Sequence, residues 1–319
     1  MTGATGFVGS HVLRELLAAG YRVRALVRQR DARLADCETV PGDLRRAGDL
    51  VPALRDCRYV VHCAALYSFA PRDRRDMREI NVAGTAGLAE SARIAGVERI
   101  IVTSSSATVG PARNGRLPTE DDWAIADGRR STYHRSKIDQ ERAALAGRVP
   151  AVILLPTAPI GPGDWKPTPT GRLVLDFARG RIFAGPPDGG LNLVPVEDVA
   201  RAHVLALERG RLGERYLIGG ENLSLHEVWE LLGAVTGRRV PRWRVPYVVA
   251  FGVGLADEIR CRVQPGARPA VPLEGLRMAR ERMHVDCSKA AGELGFRPGD
   301  VRDALQRAVA WYRDNGYVA

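Results

Sequence analysis

Gly3-Ala-Thr-Gly6-Phe-Val-Gly9 is followed at once by Val12, Leu13, Leu16 and Leu17 at helical spacing, and Gly20 closes the run. A glycine turn that opens a helix lets backbone N–H groups approach a pyrophosphate at the positive end of that helix. Tyr21–Val27 then alternates as a second strand would. A glycine triplet alone can be a plain strand-to-helix joint. Turn, helix and strand in this order instead predict a Rossmann-type α/β fold, a doubly wound parallel sheet that binds a dinucleotide. Gly3, Thr5, Gly6, Phe7 and Val8 are the candidate contacts in that turn.

The end of the second strand bears on which dinucleotide. An NAD site usually offers a carboxylate there to the ribose 2′-OH, but this chain has Arg28, with Arg30 behind it and no acid before Asp31. An arginine at that point accommodates a 2′-phosphate, which favours NADP and leaves NAD as the alternative. A solvent-facing arginine is the competing reading. Asp43-Leu44 follows a short strand and is placed to meet the adenine amino group, unless it is only a turn aspartate. Tyr59–His62 reads as a buried strand ending in Cys63-Ala64-Ala65, small residues suited to packing against a cofactor. Residues 73–95 read as a long helix carrying Asn81, a side chain able to tie backbone to the active site.

Arg99–Val102 is the next strand and runs into Thr103-Ser104-Ser105-Ser106-Ala107-Thr108. Ligands sit at the carboxyl ends of strands in an open parallel sheet, so hydroxyls there face the cofactor. Downstream, Tyr133-His-Arg-Ser-Lys137 places a phenol and an ammonium four residues apart, on one face of a helix that Ser131 or Thr132 can cap and Gly147 can end. A nearby ammonium favours the phenolate and lowers a pKa otherwise about 10, making Tyr133 a usable general acid/base. Two exposed residues at that spacing would mean nothing. The glycine turn and the serine run upstream give the spacing its meaning.

With these features in order, the chain resembles the extended short-chain dehydrogenase/reductases, the NAD(P)-dependent epimerase/dehydratase family. Further matching stretches are Pro156-Thr-Ala-Pro-Ile-Gly161-Pro-Gly163-Asp164, Asn192-Leu-Val-Pro-Val-Glu-Asp198 and Tyr216-Leu-Ile-Gly219-Gly220-Glu221-Asn222. Residues 161–171 are similar to the hopanoid-associated sugar epimerases, and dihydroflavonol-reductase-like proteins are further relatives. The resemblance implies Tyr133 as acid/base and Lys137 as the group that binds the nicotinamide ribose and lowers the tyrosine pKa. It also implies Ala64, Ala65 and Pro156 as cofactor neighbours. Counting from the strand end gives Ser105 as the catalytic serine. Counting back from Val109 gives Ser106, and the strand end is the more rigid reference. A tyrosine common after this serine run in sugar epimerases is missing, since Gly110 follows Val109 directly.

The resemblance also frames the chain start. Only Met1 and Thr2 precede Gly3, whereas strands usually run to about 5 residues, and relatives carry a valine where Met1 stands. The expectation is that a valine codon able to serve as a start stands at Met1, and that translation begins further upstream. A truly shortened strand is the alternative.

Residues 1–165 are expected to form the NADP-binding domain, with 191–219 and 300–319 returning to it. Residues 166–190 and 220–299 are expected to form a substrate lobe, with prolines 156, 159, 162, 167 and 169 at the crossing. Within the lobe, Pro241–Cys261, which includes Trp243 and Phe251, is apolar and basic. The net charge of +10 comes almost wholly from arginines interleaved with acids, and lysine occurs only at 137, 166 and 289. That pattern suits a solvated surface and argues against nucleic acid. No run approaches the ~20 apolar residues of a membrane span. Five cysteines without paired or metal-like spacing suggest reduced thiols and a cytoplasmic enzyme without a metal.

The expected partner is a small-molecule substrate, with a homodimer allowed. The expected activity is hydride transfer between a nicotinamide cofactor and a carbonyl or secondary alcohol carbon, of a sugar or hopanoid-linked polyol. The alternatives are a dihydroflavonol-reductase-like ketone reductase consuming NADPH and a non-catalytic NADP-binding regulator.

Overall fold

Two parts of one sheet meet at Thr2. In the computed structural model, which describes residues 1–68, 71–112, 115–124, 132–182, 184–185, 188–241, 247–264 and 281–318, strands β1 (Arg24–Val27) and β2 (Glu38–Pro41) pair in parallel. Strands β3 (Tyr59–His62), β4 (Arg99–Thr103), β5 (Ala151–Pro156) and β8 (Arg215–Ile218) form a second parallel run in that spatial order. Thr2 bridges Leu26 of β1 and His62 of β3, parallel to both. Its N–H donates to the Val61 carbonyl at 3.0 Å, and the Met1 carbonyl accepts from Leu26 at 2.8 Å. Met1 and Thr2 thus occupy the central strand position ahead of the glycine turn.

Period-two alternation sends neighbouring side chains to opposite faces. Ile101 of β4 and Val152 and Leu154 of β5 enter one core, with Val12 and Leu16 of α1 (Phe7–Ala18) and Val199 and Ala202 of α7 (Val196–Arg209). Ile100, Val102, Ile153 and Leu155 enter the other, with Leu50 of α2 (Ala47–Ala53), Leu88 of α4 (Gly84–Ile94) and Ala144 of α5 (Thr132–Leu145). Burial on both faces is why β5 reads as the unbroken apolar run Ala-Val-Ile-Leu-Leu. The helix expected over 73–95 is α3 (Arg74–Met77), a wider π segment (Arg78–Ala83) and α4 in succession. The helix carrying Tyr133 begins at Thr132, and Ser131, the other candidate cap, lies outside the described residues, as does Trp243.

A second sheet holds β6 (Ala158–Ile160), β7 (Gly190–Pro195), β9 (Glu221–Ser224) and β10 (Arg282–Met283). Its core joins Ile160 and Leu193 to Phe177 of α6 (Pro169–Ala178), Trp229 and Leu232 of α8 (Leu225–Thr236), and Tyr312 of α10 (Val301–Asp314). Helix α9 (Tyr247–Val263) keeps Val249, Val253, Leu255 and Ile259 exposed.

The expected domain division needs three corrections. The stripe Val301, Ala304, Leu305, Ala308 and Val309 packs α10 into the lobe core, so 300–319 does not return to the cofactor domain. Ala290, Leu294 and Phe296, expected in the lobe, pack with α1 and α7 instead. Within 191–219, β7 belongs to the second sheet, and only α7 and β8 rejoin the first.

Candidate active site

The glycine turn is shaped by close approach. Gly3 has φ +75°, and a Cβ there would lie 2.6 Å from the Ala64 backbone nitrogen. A Cβ at Gly9 would lie 2.0 Å from the Gly3 carbonyl oxygen. Neither position admits a side chain, and the N-terminus of α1 carries no side-chain cap and no acidic residue in its first turn. Backbone N–H groups at an uncapped helix start beside a turn this tight form an anion cradle. Thr5 is exposed and Phe7 and Val8 are half-buried around it, with Ala64 and Ala65 on the β3 side. These residues fit the pyrophosphate of a dinucleotide.

Arg28 is exposed, one residue beyond β1. The acids near it are already engaged. Asp31 is held by Arg33 at 2.6 Å, and Asp43 by Arg45 at 2.6 Å. Arg45 chiefly, with Arg28 adding a smaller share, holds the Asp43 carboxyl down to about 2. No carboxylate at this strand end is therefore unpaired among the described residues. Leu44 packs beside Gly84 at the start of α4.

Tyr133 and Lys137 do share one face of α5, but their polar ends part. The Lys137 ammonium donates to the Thr103 carbonyl at 2.9 Å and to Gln140 Oε1 at 2.5 Å. Burial lowers it to about 8, against the Glu141 carboxylate, which favours the charge. Tyr133 is hydrogen-bonded to Ser105, yet burial pushes its phenol up to about 12. The expectation that Lys137 lowers the phenol pKa is thus not met here, because the ammonium is turned toward β4 and Gln140. Ser105 stands just past the end of β4, caps the short turn Ser106–Thr108, and accepts from the Ala107 N–H at 3.2 Å. Pro156 ends β5 opposite Ile218.

Asn81, fully buried on the π segment, fixes the other wall. Its amide accepts from Leu66 N–H at 2.7 Å, donates to Leu66 carbonyl at 3.0 Å, and donates to Ser136 Oγ at 3.1 Å. Ser136 in turn donates to the Tyr133 carbonyl at 2.8 Å. A side chain leaving a locally widened helix is a recurrent way to reach a functional site. The clamp on Leu66 sets Tyr67 edge-on to Tyr133, ring centroids 4.4 Å apart, with Tyr67 42 % exposed.

Beneath the serine run, Ser104 Oγ donates to Glu141, whose carboxylate also bonds Arg215 Nε at 2.8 Å, with both charges almost fully buried. Arg215 reaches Thr108 Oγ1 at 2.9 Å and lies 3.6 Å over the Trp123 ring. The pair ties Ser104, Thr108, Glu120 and Trp123 to the sheet. Sequence reasoning missed Tyr67, Gln140, Glu141 and Arg215. Gln140 and Glu141 lie three and four residues from Lys137 on one helix, a spacing that could have pointed to them. Arg215, 74 residues from Glu141, gave no local signal. A cavity of about 420 Å³ between the ends of α6 and α8, lined by Phe177, Gly180, Ile182, Gly237 and Arg238 among others, includes none of the expected site residues.

The NAD dependent epimerase/dehydratase family matches residues 1–219. A Synechocystis protein with the provisional name dihydroflavonol 4-reductase is 38% identical, over 100% of this chain and 95% of its own length. Sterol demethylase protein B of Methylococcus capsulatus is 35% identical, over 100% and 99%. Among solved structures, gox2253 superposes with a TM-score of 0.85 at 38% identity, over 100% of this chain and 98% of that one. The chain belongs to the NAD-dependent epimerase/dehydratase family, as an NAD(P)-dependent oxidoreductase or epimerase of the extended short-chain dehydrogenase/reductase type.

Proposed function

We propose that this chain is an NADP(H)-using reductase of ring ketones, working in reverse as a secondary-alcohol dehydrogenase. The contact between Ser105 and a protonated Tyr133 carries the reading. A phenol is protonated at neutral pH and so can donate to a carbonyl oxygen that reaches Ser105 and Tyr133 together, although burial makes it a weaker acid than a free tyrosine. Ser105 shares that oxygen and orients it. Lys137 binds the ribose hydroxyls. The glycine turn holds the pyrophosphate, Arg28 and Arg45 receive a 2′-phosphate, and Pro156, Ala64 and Ala65 border the nicotinamide end. When bound, the nicotinamide supplies or accepts the hydride.

An apolar, polycyclic substrate is supported by three observations. Tyr67 offers an exposed aromatic edge beside the phenol. Two similar proteins are named for a flavonoid and a sterol reaction. Residues 161–171 resemble the hopanoid-associated branch. Epimerisation is the second reading, favoured by the family match itself. Absorbance at the reduced-nicotinamide band separates the two. Steady NADPH consumption with a fused-ring ketone supports reduction. Tightly retained cofactor with product but no net absorbance change supports epimerisation, and no turnover with either substrate class rejects both.

A further inference from the structure

Lys137 is embedded in a buried polar chain that runs through Gln140, Thr85 and His62 to Thr2. Gln140, His62 and Thr85 are all at most 2 % exposed. The Thr85 hydroxyl donates to the Asn81 carbonyl at 2.7 Å, so its oxygen is left as an acceptor. Two groups reach that oxygen, Gln140 Nε2 at 3.2 Å and His62 Nε2 at 2.9 Å. His62 is therefore the Nε2–H tautomer, and its Nδ1 accepts from the Thr2 hydroxyl at 2.7 Å. Thr2 Oγ1 in turn accepts from Ala64 N–H at 3.3 Å, at the wall of the glycine turn.

The amide orientation of Gln140 follows by elimination. Its NH₂ must face Thr85, so its carbonyl must face Lys137. An ammonium has three protons. Two are taken, by Gln140 Oε1 and the Thr103 carbonyl, and the third has no partner among the described residues. We infer that Gln140 is a positioning residue: locked by Thr85, whose oxygen also accepts from His62, it holds the Lys137 ammonium in register with the cofactor turn, so that cofactor binding depends on Gln140. This rests on the reading of Lys137 as a cofactor ligand. The titratable groups around the ammonium are Glu141 and Tyr133 on α5, His62 and Cys63 at the end of β3, and the Met1 ammonium beyond His62. Burial holds His62 down to about 3, in keeping with the neutral tautomer.

The test measures NADPH affinity against pH for wild type, Gln140→Leu, Gln140→Glu and Lys137→Ala. In wild type the affinity falls as Lys137 loses its proton near pH 8. Gln140→Leu removes a charge-assisted hydrogen bond and is expected to weaken binding about 10- to 100-fold, with the alkaline midpoint moved to lower pH. Gln140→Glu restores an acceptor and adds a negative charge that favours the ammonium. It is expected to recover most of the affinity, with the midpoint moved higher. Should the leucine variant fail to fold, Gln140→Met is read in the same way. A folded leucine or methionine variant with wild-type affinity and midpoint overturns the inference, as does a glutamate variant whose midpoint does not move. If Lys137→Ala itself binds NADPH normally, the functional reading fails and this inference with it. Loss in Lys137→Ala with none in Gln140→Leu overturns this inference alone.

Discussion

The ring of Tyr67 meets the ring of Tyr133 at 63°, centroids 4.4 Å apart, so the phenol shares one wall with an aromatic side chain open to solvent. The contact is held from both sides. Asn81 clamps the preceding residue, and Ser68 donates to Asp73 at 2.5 Å. Tyr67→Ala is expected to raise KM for a fused-ring ketone about 3- to 10-fold, the worth of one aromatic contact, while an acyclic ketone is little affected. Equal changes for both substrates would show that Tyr67 does not read ring shape.

Tyr133→Phe removes the proton donor and keeps the ring. Turnover is expected to fall about 10²- to 10⁴-fold with NADPH affinity nearly intact, since the hydroxyl is bonded to Ser105 and not to Lys137. Titration calorimetry of NADPH beside steady-state kinetics checks both halves. Wild-type turnover in the phenylalanine variant would refute the assignment.

Arg28→Asp reverses the charge at the end of β1. NADPH binding is expected to weaken about 10- to 100-fold more than NADH binding, through loss of a charge-assisted contact and new repulsion of the 2′-phosphate. Equal loss for both cofactors would mean that Arg28 is only surface.

Acid stability should be governed by the buried histidines His11, His62 and His203, all lowered by burial, with His62 and His203 shifted far. Burial holds His62 at about 3 and His203 at about 4, below the ordinary 6.5. His203 is fixed in its neutral form because Nδ1 donates to the Val199 carbonyl at 2.8 Å and Nε2 accepts from the Thr103 hydroxyl at 2.7 Å. Between the folded and unfolded values the unfolded chain binds more protons, so stability falls as pH drops below 6.5. At pH 5 the loss is about 2 kcal/mol for each of His62 and His203. Urea unfolding at pH 7 and 5 measures it, and His203→Gln should remove that residue's share, about 2 kcal/mol.

The glycine turn, the parallel sheet and the shared face of Tyr133 and Lys137 were all legible in the sequence. Each follows from a local period or from a glycine that tolerates no side chain. The direction of the Tyr133 shift was not legible. Spacing of i, i+4 fixes which face two side chains share, but not where a four-carbon stem ends. The Lys137 ammonium follows the acceptors it finds, and those come from β4 and from its own helix. The placement of α10 was also hidden, because an apolar stripe states that a helix is buried without naming the surface that buries it. Tyr67 was passed over because an exposed tyrosine after a strand is ordinary until its neighbour is known.

The second core has a bearing on how the chain is made. Ile160 belongs to the same cluster as Val301 and Tyr312, so strand β6 leaves the ribosome long before the helix that covers it. At a synthesis rate of 5–20 residues per second, the interval from Ile160 to Val301 is about 7–30 s. Throughout that time the apolar face of β6, joined in turn by those of α6 and α8, has no α10 to rest on. The lobe is a late-closing unit, and that window is where a nascent chain of this protein is most exposed to aggregation and to chaperone capture.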